Sequence, residues 1–227
     1  MSPRRPCIAI DGPVAAGKST IARTVAARLG FIYIDSGAVY RALAWAAIKR
    51  GISASAPHEV VALLNRVRIE LRPQDGGANL VYLDGRDITG EIRTQEIGDL
   101  ASKLSEIPEV RARMVALQQE MARGGGVVME GRDIQTVVLP DAEVKIFLTA
   151  PAEERAKRRC LELGQRGYTA SYDEVLAEIV RRDQRDTTRE HSPLRAAPDA
   201  VHVDNGGLTV EQVVERVLEV VRGSGGV

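Results

Sequence analysis

Cysteine is scarce. The two in this chain of 227 residues, Cys7 and Cys160, stand far apart. They exclude a disulfide framework and offer no pair at metal-ligand spacing, and a reducing, cytoplasmic compartment is expected. Net charge is also absent, with 31 basic residues against 31 acidic ones. This disfavours binding to bulk nucleic acid or to a membrane surface, so any anionic ligand must be met by local basic clusters. Apolar runs stop well short of the roughly 18 residues that a membrane span requires, and none of signal-peptide length follows Arg4 and Arg5. The marks of a GTP-driven switch are missing as well. No NKxD-type base-reading motif appears, and Asp84, Gly85, Arg86 and Asp87 lie in a hairpin-like segment instead of a switch.

What is present is a hydrophobic fraction of 44%, enough to give one α/β domain a sizeable core. Apolar runs at 7–11, 31–35, 127–130, 144–149 and 200–204 lack clean alternation, as expected of parallel strands covered on both faces. Helical patterns separate them. Residues 18–29 place Ile21, Val25 and Leu29 on one face and end at Gly30; 39–50 end in the same way at Gly51. Residues 108–123 align Val110, Met114, Leu117 and Met121. A last helix carries Val210, Val213, Val214, Val217, Leu218 and Val221 on one stripe, opened by Thr209 and Gln212 as a capping box.

The expectation is a single domain over 1–227, with a core at about 6–222: a five-stranded parallel sheet of P-loop NTPase type flanked by helices. Residues 66–93 break the rhythm. Val67, Ile69 and Leu71 alternate with charged residues, and Leu80, Tyr82 and Leu83 follow a Gly-Gly turn. This predicts a small antiparallel insertion at about 63–96, with Gly85, Arg86 and Asp87 as a turn bearing surface charges. A short lid is expected at about 152–170, a disordered tail from 223 onward, and a monomer.

Gly12, Pro13, Val14, Ala15, Ala16, Gly17, Lys18 and Ser19 match GxxxxGK[ST], and Thr20 follows. The motif comes directly after a strand and before a helix, the context it requires. Loop N–H groups and the helix N-terminus favour an anion there. Lys18 can bridge β- and γ-phosphate oxygens of ATP, and the Ser19 hydroxyl is placed to ligate Mg²⁺. A second carboxylate for the ion is open between Asp35 and Glu130, both at carboxyl ends of strands.

Arginines gather at three places beyond the loop. Arg41 lies about a turn into the helix opened by Ser36, which can cap that helix or touch a ligand. Arg132 and Asp133 follow Gly131 just past a strand end and point in different directions by alternation. Arg182, Asp186 and Arg189 share one helix face, so the aspartate can hold both arginines aimed at a phosphate; Ser171 and Glu174 offer that helix a capping box. Arg155, Arg158 and Arg159 follow Pro151, with a flap at 164–167. A lid that lowers arginines onto a transferring phosphoryl group and excludes water suits a kinase.

These four motifs, in this order, closely resemble those of the bacterial cytidylate kinase family, from about Cys7 to Val221. The resemblance implies transfer of the γ-phosphoryl group of MgATP to CMP or dCMP, with Lys18, Arg158 and Arg189 acting on the transferring group. It implies that Ser36 and Arg41 meet the CMP moiety, Arg41 at its phosphate, and that Ser102, Arg111 and Asp133 read the cytosine. Arg182 and Asp186 would hold the pentose, and Arg132 and Arg189 the phosphate. Many members carry aspartate where this chain has Glu130 and glycine where it has Gln135. Two other readings compete: a P-loop kinase for another small acceptor such as UMP or shikimate, and a nucleotide-binding regulator without transferase activity. Turnover with a panel of acceptors separates the three.

Overall fold

The computed structural model describes residues 5–72, 74, 79–165 and 167–225. Five strands form a wholly parallel sheet: β1 (Cys7–Asp11), β2 (Ile32–Asp35), β6 (Val127–Gly131), β7 (Val144–Thr149) and β8 (Val201–Asp204), in the order β2-β6-β1-β7-β8. Every residue of β1 and β6 is buried, which is why these strands read as unbroken apolar runs. β1 sits in the middle, and the chain leaves it first towards β2 and later towards β7. The crevice at its carboxyl end is therefore a topological switch point, where ligands bind in sheets of this kind.

Helix α1 (Lys18–Leu29) follows the phosphate loop and ends at Gly30 in a left-handed conformation. Helix α8 (Val210–Gly223) opens with the expected reciprocal box of Thr209 and Gln212 and buries Val213, Val214, Val217, Leu218 and Val221. At about 1.5–3 kcal/mol for each large side chain, that stripe fixes α8 against the sheet beside α1. On the other face, α5 (Pro108–Ala122) packs with a π-helical turn, Ile134–Val138.

Helix α2 begins at Ser36, three residues earlier than the periodicity indicates, and runs to Lys49. The cap is not Ser36. Asp35 occupies the N-cap, and its carboxylate accepts the Ala38 N–H at 3.1 Å, so the helix starts as soon as β2 stops. Two further helices, α3 (Pro57–Leu64) and α4 (Gln95–Leu104), flank the insertion.

The insertion itself is a three-stranded antiparallel sheet of β3 (Ile69–Arg72), β4 (Leu80–Leu83) and β5 (Arg86–Asp87). Its Gly-Gly turn lies outside the described residues. The turn falls on Asp84 and Gly85, both with positive φ, one residue earlier than expected; Arg86 and Asp87 pair with β4 as β5 instead, and their side chains are exposed surface charges as expected. Two side chains fasten this small sheet to the core. Asn79 donates to the Tyr33 carbonyl at 2.7 Å and accepts the Asp35 N–H at 3.0 Å, imitating a neighbouring strand along the free edge of β2. Trp45 on α2 donates from its indole N–H to Glu91 at 3.1 Å, while the Arg86 guanidinium lies 5.2 Å from its ring centroid.

Helices α6 (Ala152–Gln165) and α7 (Tyr172–Thr188) pack against each other through Ala156, Val175 and Ile179, with Val14 and Ala15 of the phosphate loop against them. Ser171 stands at the N-cap of α7, but its side chain makes no capping bond. It is exposed, so water can serve the first N–H groups. The flap at 164–167 includes Arg166, which lies outside the described residues; so do the last two residues of the tail, while Gly223 still belongs to α8.

Candidate active site

The phosphate loop starts where only glycine fits: a Cβ on Gly12 would stand 2.0 Å from the Leu148 carbonyl oxygen of β7. The loop then turns through Ala15 and Gly17, both with positive φ, into the first turn of α1, whose N–H groups have no intrahelical partners. Lys18 is buried and donates from Nζ to the Pro13 carbonyl at 2.7 Å. The Ser19 hydroxyl donates to Glu130 Oε1, which also accepts the Tyr33 hydroxyl at 3.0 Å. Asp35 is engaged elsewhere. It caps α2, pairs with Arg41 at 2.5 Å and faces Arg93 at 3.9 Å. Of the two carboxylates left open by the sequence, Glu130 is the one beside Ser19.

Across the crevice, two buried ion pairs organise the arginines. Arg111 on α5 donates to Asp133 at 2.7 Å and to the Ser105 carbonyl at 3.0 Å. Arg132 donates from Nε to Asp186 at 2.8 Å, so the aspartate between Arg182 and Arg189 bonds an arginine from the β6 loop instead of either of them. Arg182 and Arg189 act on Asp186 through their charge. With Arg132 leading, they overcome burial and hold its carboxyl below the usual range. Asp35 is likewise held low: burial pushes it up, but Arg41 and Arg93 outweigh that. The arginines feel the converse. Burial first, then Arg132 beside Arg182 and Arg111 beside Arg189, lower both guanidinium groups.

Buried arginine nitrogens in this crevice lack hydrogen-bond partners: Nε of Arg41, Arg111 and Arg182, and Nη2 of Arg189. Native proteins rarely bury a donor unpaired, and for each the omission costs about 1–3 kcal/mol. Gathered on one crevice and set on cations, such donors would suit an anion.

The remaining residues singled out from the sequence fall into place unevenly. Ser36, at the start of α2, lies against Gly131; a Cβ on that glycine would come within 2.5 Å of the Ser36 hydroxyl. Ser102 is half-buried on α4. Thr20 is exposed on α1. Arg158 is committed to Asn205, donating to its Oδ1 and its carbonyl, each at 2.9 Å, and Arg155 is buried beneath the phosphate loop.

Sequence reasoning missed Asp11. Fully buried at the end of β1, it accepts the N–H groups of Ile134 at 3.0 Å and Gln135 at 2.8 Å, which fixes the loop carrying Arg132 and Asp133. Burial pushes its carboxyl up to about 7. Gln135 extends the brace, donating to the Ile146 carbonyl at 2.6 Å and accepting the Ala197 N–H at 3.1 Å. The one available signal for Asp11 was its position, a carboxylate ending a buried strand just before the glycine of a phosphate loop.

Burial, reinforced by Arg132, lowers the Lys18 ammonium to about 7 against the pull of Glu130, Asp11 and Asp186. A polyphosphate beside it restores the proton. Binding a Mg²⁺-loaded ATP analogue at pH 8 is therefore expected to take up about one proton per site. Titration calorimetry in buffers of different ionisation enthalpy reads this directly, and a binding heat independent of buffer would refute it.

A phosphate loop at the end of the central strand of a β2-β6-β1-β7-β8 sheet, facing a crevice of arginines that keep unpartnered nitrogens, defines a P-loop kinase for a small acceptor. Two solved structures share this fold alone: a gluconokinase from Sinorhizobium meliloti (TM-score 0.50, 14% identity, 98% of this chain and 95% of that one) and an uncharacterized protein from Eubacterium ventriosum (TM-score 0.54, 11% identity, 96% and 99%). Residues 8–223 match the sequence profile of the family described as Cytidylate kinase. The chain is 53% identical over 212 residues to a cytidylate kinase from Caldicellulosiruptor bescii, covering 93% of each, and 50% identical over 218 residues to one from Geobacillus thermodenitrificans, covering 96% of this chain and 97% of that one. The chain belongs to the cytidylate kinase family.

Proposed function

We propose that this protein transfers the γ-phosphoryl group of ATP to CMP or dCMP, giving ADP and the corresponding diphosphate. The observation that carries the acceptor half is the set of buried, unpartnered nitrogens on Arg41, Arg111, Arg182 and Arg189. The donor half rests on the loop from Gly12 to Thr20 and on membership of the family.

The nucleophile needs no general base. A phosphate monoester's second pKa is about 6, so the acceptor is mostly a dianion at neutral pH, and catalysis reduces to positioning and charge stabilisation. Arg41, Arg132 and Arg189 hold the acceptor phosphate against its repulsion from the donor. Arg182 and Asp186 hold the pentose. Arg111, Asp133 and Ser102 read the base: the first two present a donor and an acceptor side by side, a pattern suited to a cytosine edge. Lys18 neutralises charge on the transferring group, Arg189 serves its far side, and Arg158, held on Asn205, contributes its positive charge from there.

Ser19 and Glu130 offer hard oxygens in mutual contact, a donor set that suits Mg²⁺ completed by phosphate oxygens and water. Among the described residues no group of three or more His, Cys, Asp or Glu forms a self-sufficient metal cage. When bound there with ATP, the ion would neutralise β- and γ-oxygens. The insertion and the α6–α7 hairpin would close over the two substrates and exclude water. Among the described residues no helix is long and apolar enough to cross a membrane.

Release of ADP from MgATP with CMP, dCMP, UMP, AMP and shikimate offered singly tests the reading. Turnover is expected with CMP and dCMP, and about tenfold less or lower with the others, since a missing base-edge partner leaves the remaining donor and acceptor positions of the Arg111–Asp133 pair unfilled. Preference for another acceptor would keep the kinase and overturn the base-reading roles.

A further inference from the structure

Asp183 stands within the arginine-rich motif of α7 yet serves another part of the molecule. Its Oδ1 accepts the Val14 N–H at 3.3 Å, and its Oδ2 pairs with Arg155 Nη1 at 2.6 Å. The same Arg155 nitrogen donates to the Val14 carbonyl at 3.0 Å, and Nε donates to the Ala150 carbonyl at 2.8 Å. Both backbone polar groups of one phosphate-loop residue are thus held by a side-chain pair drawn from α6 and α7. Two residues on, the Ala16 carbonyl accepts the Asn205 side-chain amide at 2.6 Å. Asn205, 4% exposed, is itself fixed by the two bonds from Arg158.

Between these anchors lies Ala15, with φ of 57°, a left-handed conformation that residues bearing a Cβ adopt only when their surroundings impose it. Such a reversal turns successive N–H groups inward and makes a concave anion nest. Released from its anchors, the loop would relax towards commoner backbone angles, and the nest would have to re-form at the expense of binding.

We propose that Asp183 is a positioning residue for the donor phosphates: with Arg155 it pins Val14, and with Asn205 on the opposite flank it keeps the turn at Ala15 in its phosphate-receiving form. This rests on the reading of the loop as the ATP site. It separates two aspartates one turn apart on the same helix, since Asp186 orders the acceptor side through Arg132 and Asp183 orders the donor side.

The test titrates the full chain with a non-hydrolysable ATP analogue plus Mg²⁺ and, separately, with CMP. Asp183→Ala is expected to weaken the analogue about tenfold while CMP affinity stays within about twofold, as for loss of one charge-assisted anchor. Asp183→Asn keeps an acceptor for the Val14 N–H and is expected to recover part of the loss. Asn205→Ala, acting from the other flank, is expected to weaken the analogue alone and stands in should Asp183→Ala fold poorly. In turnover, KM for ATP rises in these variants while KM for CMP does not. Equal weakening of both ligands, or unchanged analogue binding in both alanine variants, overturns the positioning role. A wild-type chain that does not bind the analogue overturns the donor-site reading beneath it.

Discussion

Replacing Lys18 with alanine is expected to reduce turnover about a thousandfold, with the KM for CMP little changed. Lys18 is buried at the mouth of α1, its ammonium fixed on the Pro13 carbonyl and set among Asp11, Glu130 and Asp186. A charge already oriented in a site shielded from water needs no reorganisation when negative charge spreads over the transferring group. Removal of a single such stabiliser typically costs a factor of 10²–10³. The alanine chain would also leave Asp11 and Glu130 without this neighbouring cation, so the loss should sit at the upper end of that range. Steady-state release of ADP with CMP measures it, and activity within about tenfold of wild type would contradict the role given to Lys18.

Asp133→Ala is expected to have the second-largest effect, and a different signature. It strips the carboxylate from a buried pair and leaves Arg111 with the Ser105 carbonyl but no counter-charge. Breaking such a pair costs a protein about 3–5 kcal/mol, so the melting temperature should fall. The site would also lose an acceptor for the base. CMP affinity is expected to drop about a hundredfold, close to 2.7 kcal/mol, while binding of an ATP analogue stays within about threefold. Separate titrations decide the matter: equal losses for the two nucleotides would mean that Asp133 supports the fold and does not read the acceptor.

β1 and β6 could be read to within a residue because burial on both faces leaves them nearly free of polar interruption; β7, which alternates buried and half-buried residues, and the edge strand β8, where only Val203 is buried, are as legible from their short β-branched runs. Helix α3 escaped because its eight residues bury only Val60, Leu63 and Leu64, a short apolar run that does not reveal its period. Helix α4 buries Ile97, Ala101 and Leu104 at helical spacing, but alanine at its centre makes a faint stripe. The early start of α2 depends on the side chain of Asp35, which periodicity does not register.

The donor loop was legible for a different reason: all its chemistry lies in consecutive residues. The acceptor crevice joins partners distant in sequence, Arg111 with Asp133 across 22 positions and Arg132 with Asp186 across 54. Residue types along the chain disclose the supply of arginines. Which aspartate serves which arginine is a property of the packed sheet alone, and so is the burial that recruits Asp11 as a brace.

Trp45 is the chain's only tryptophan. Its indole N–H rests on Glu91 and a guanidinium lies over its face, both supplied by the insertion, while its backbone belongs to the helix that carries Arg41. Carboxylates and cations close to an indole alter its emission, so any displacement of the small sheet against α2 changes the colour and yield of this one fluorophore. The native, unlabelled chain would thus carry an optical gauge of the proposed acceptor-side closure, readable in a stopped-flow instrument as each substrate arrives.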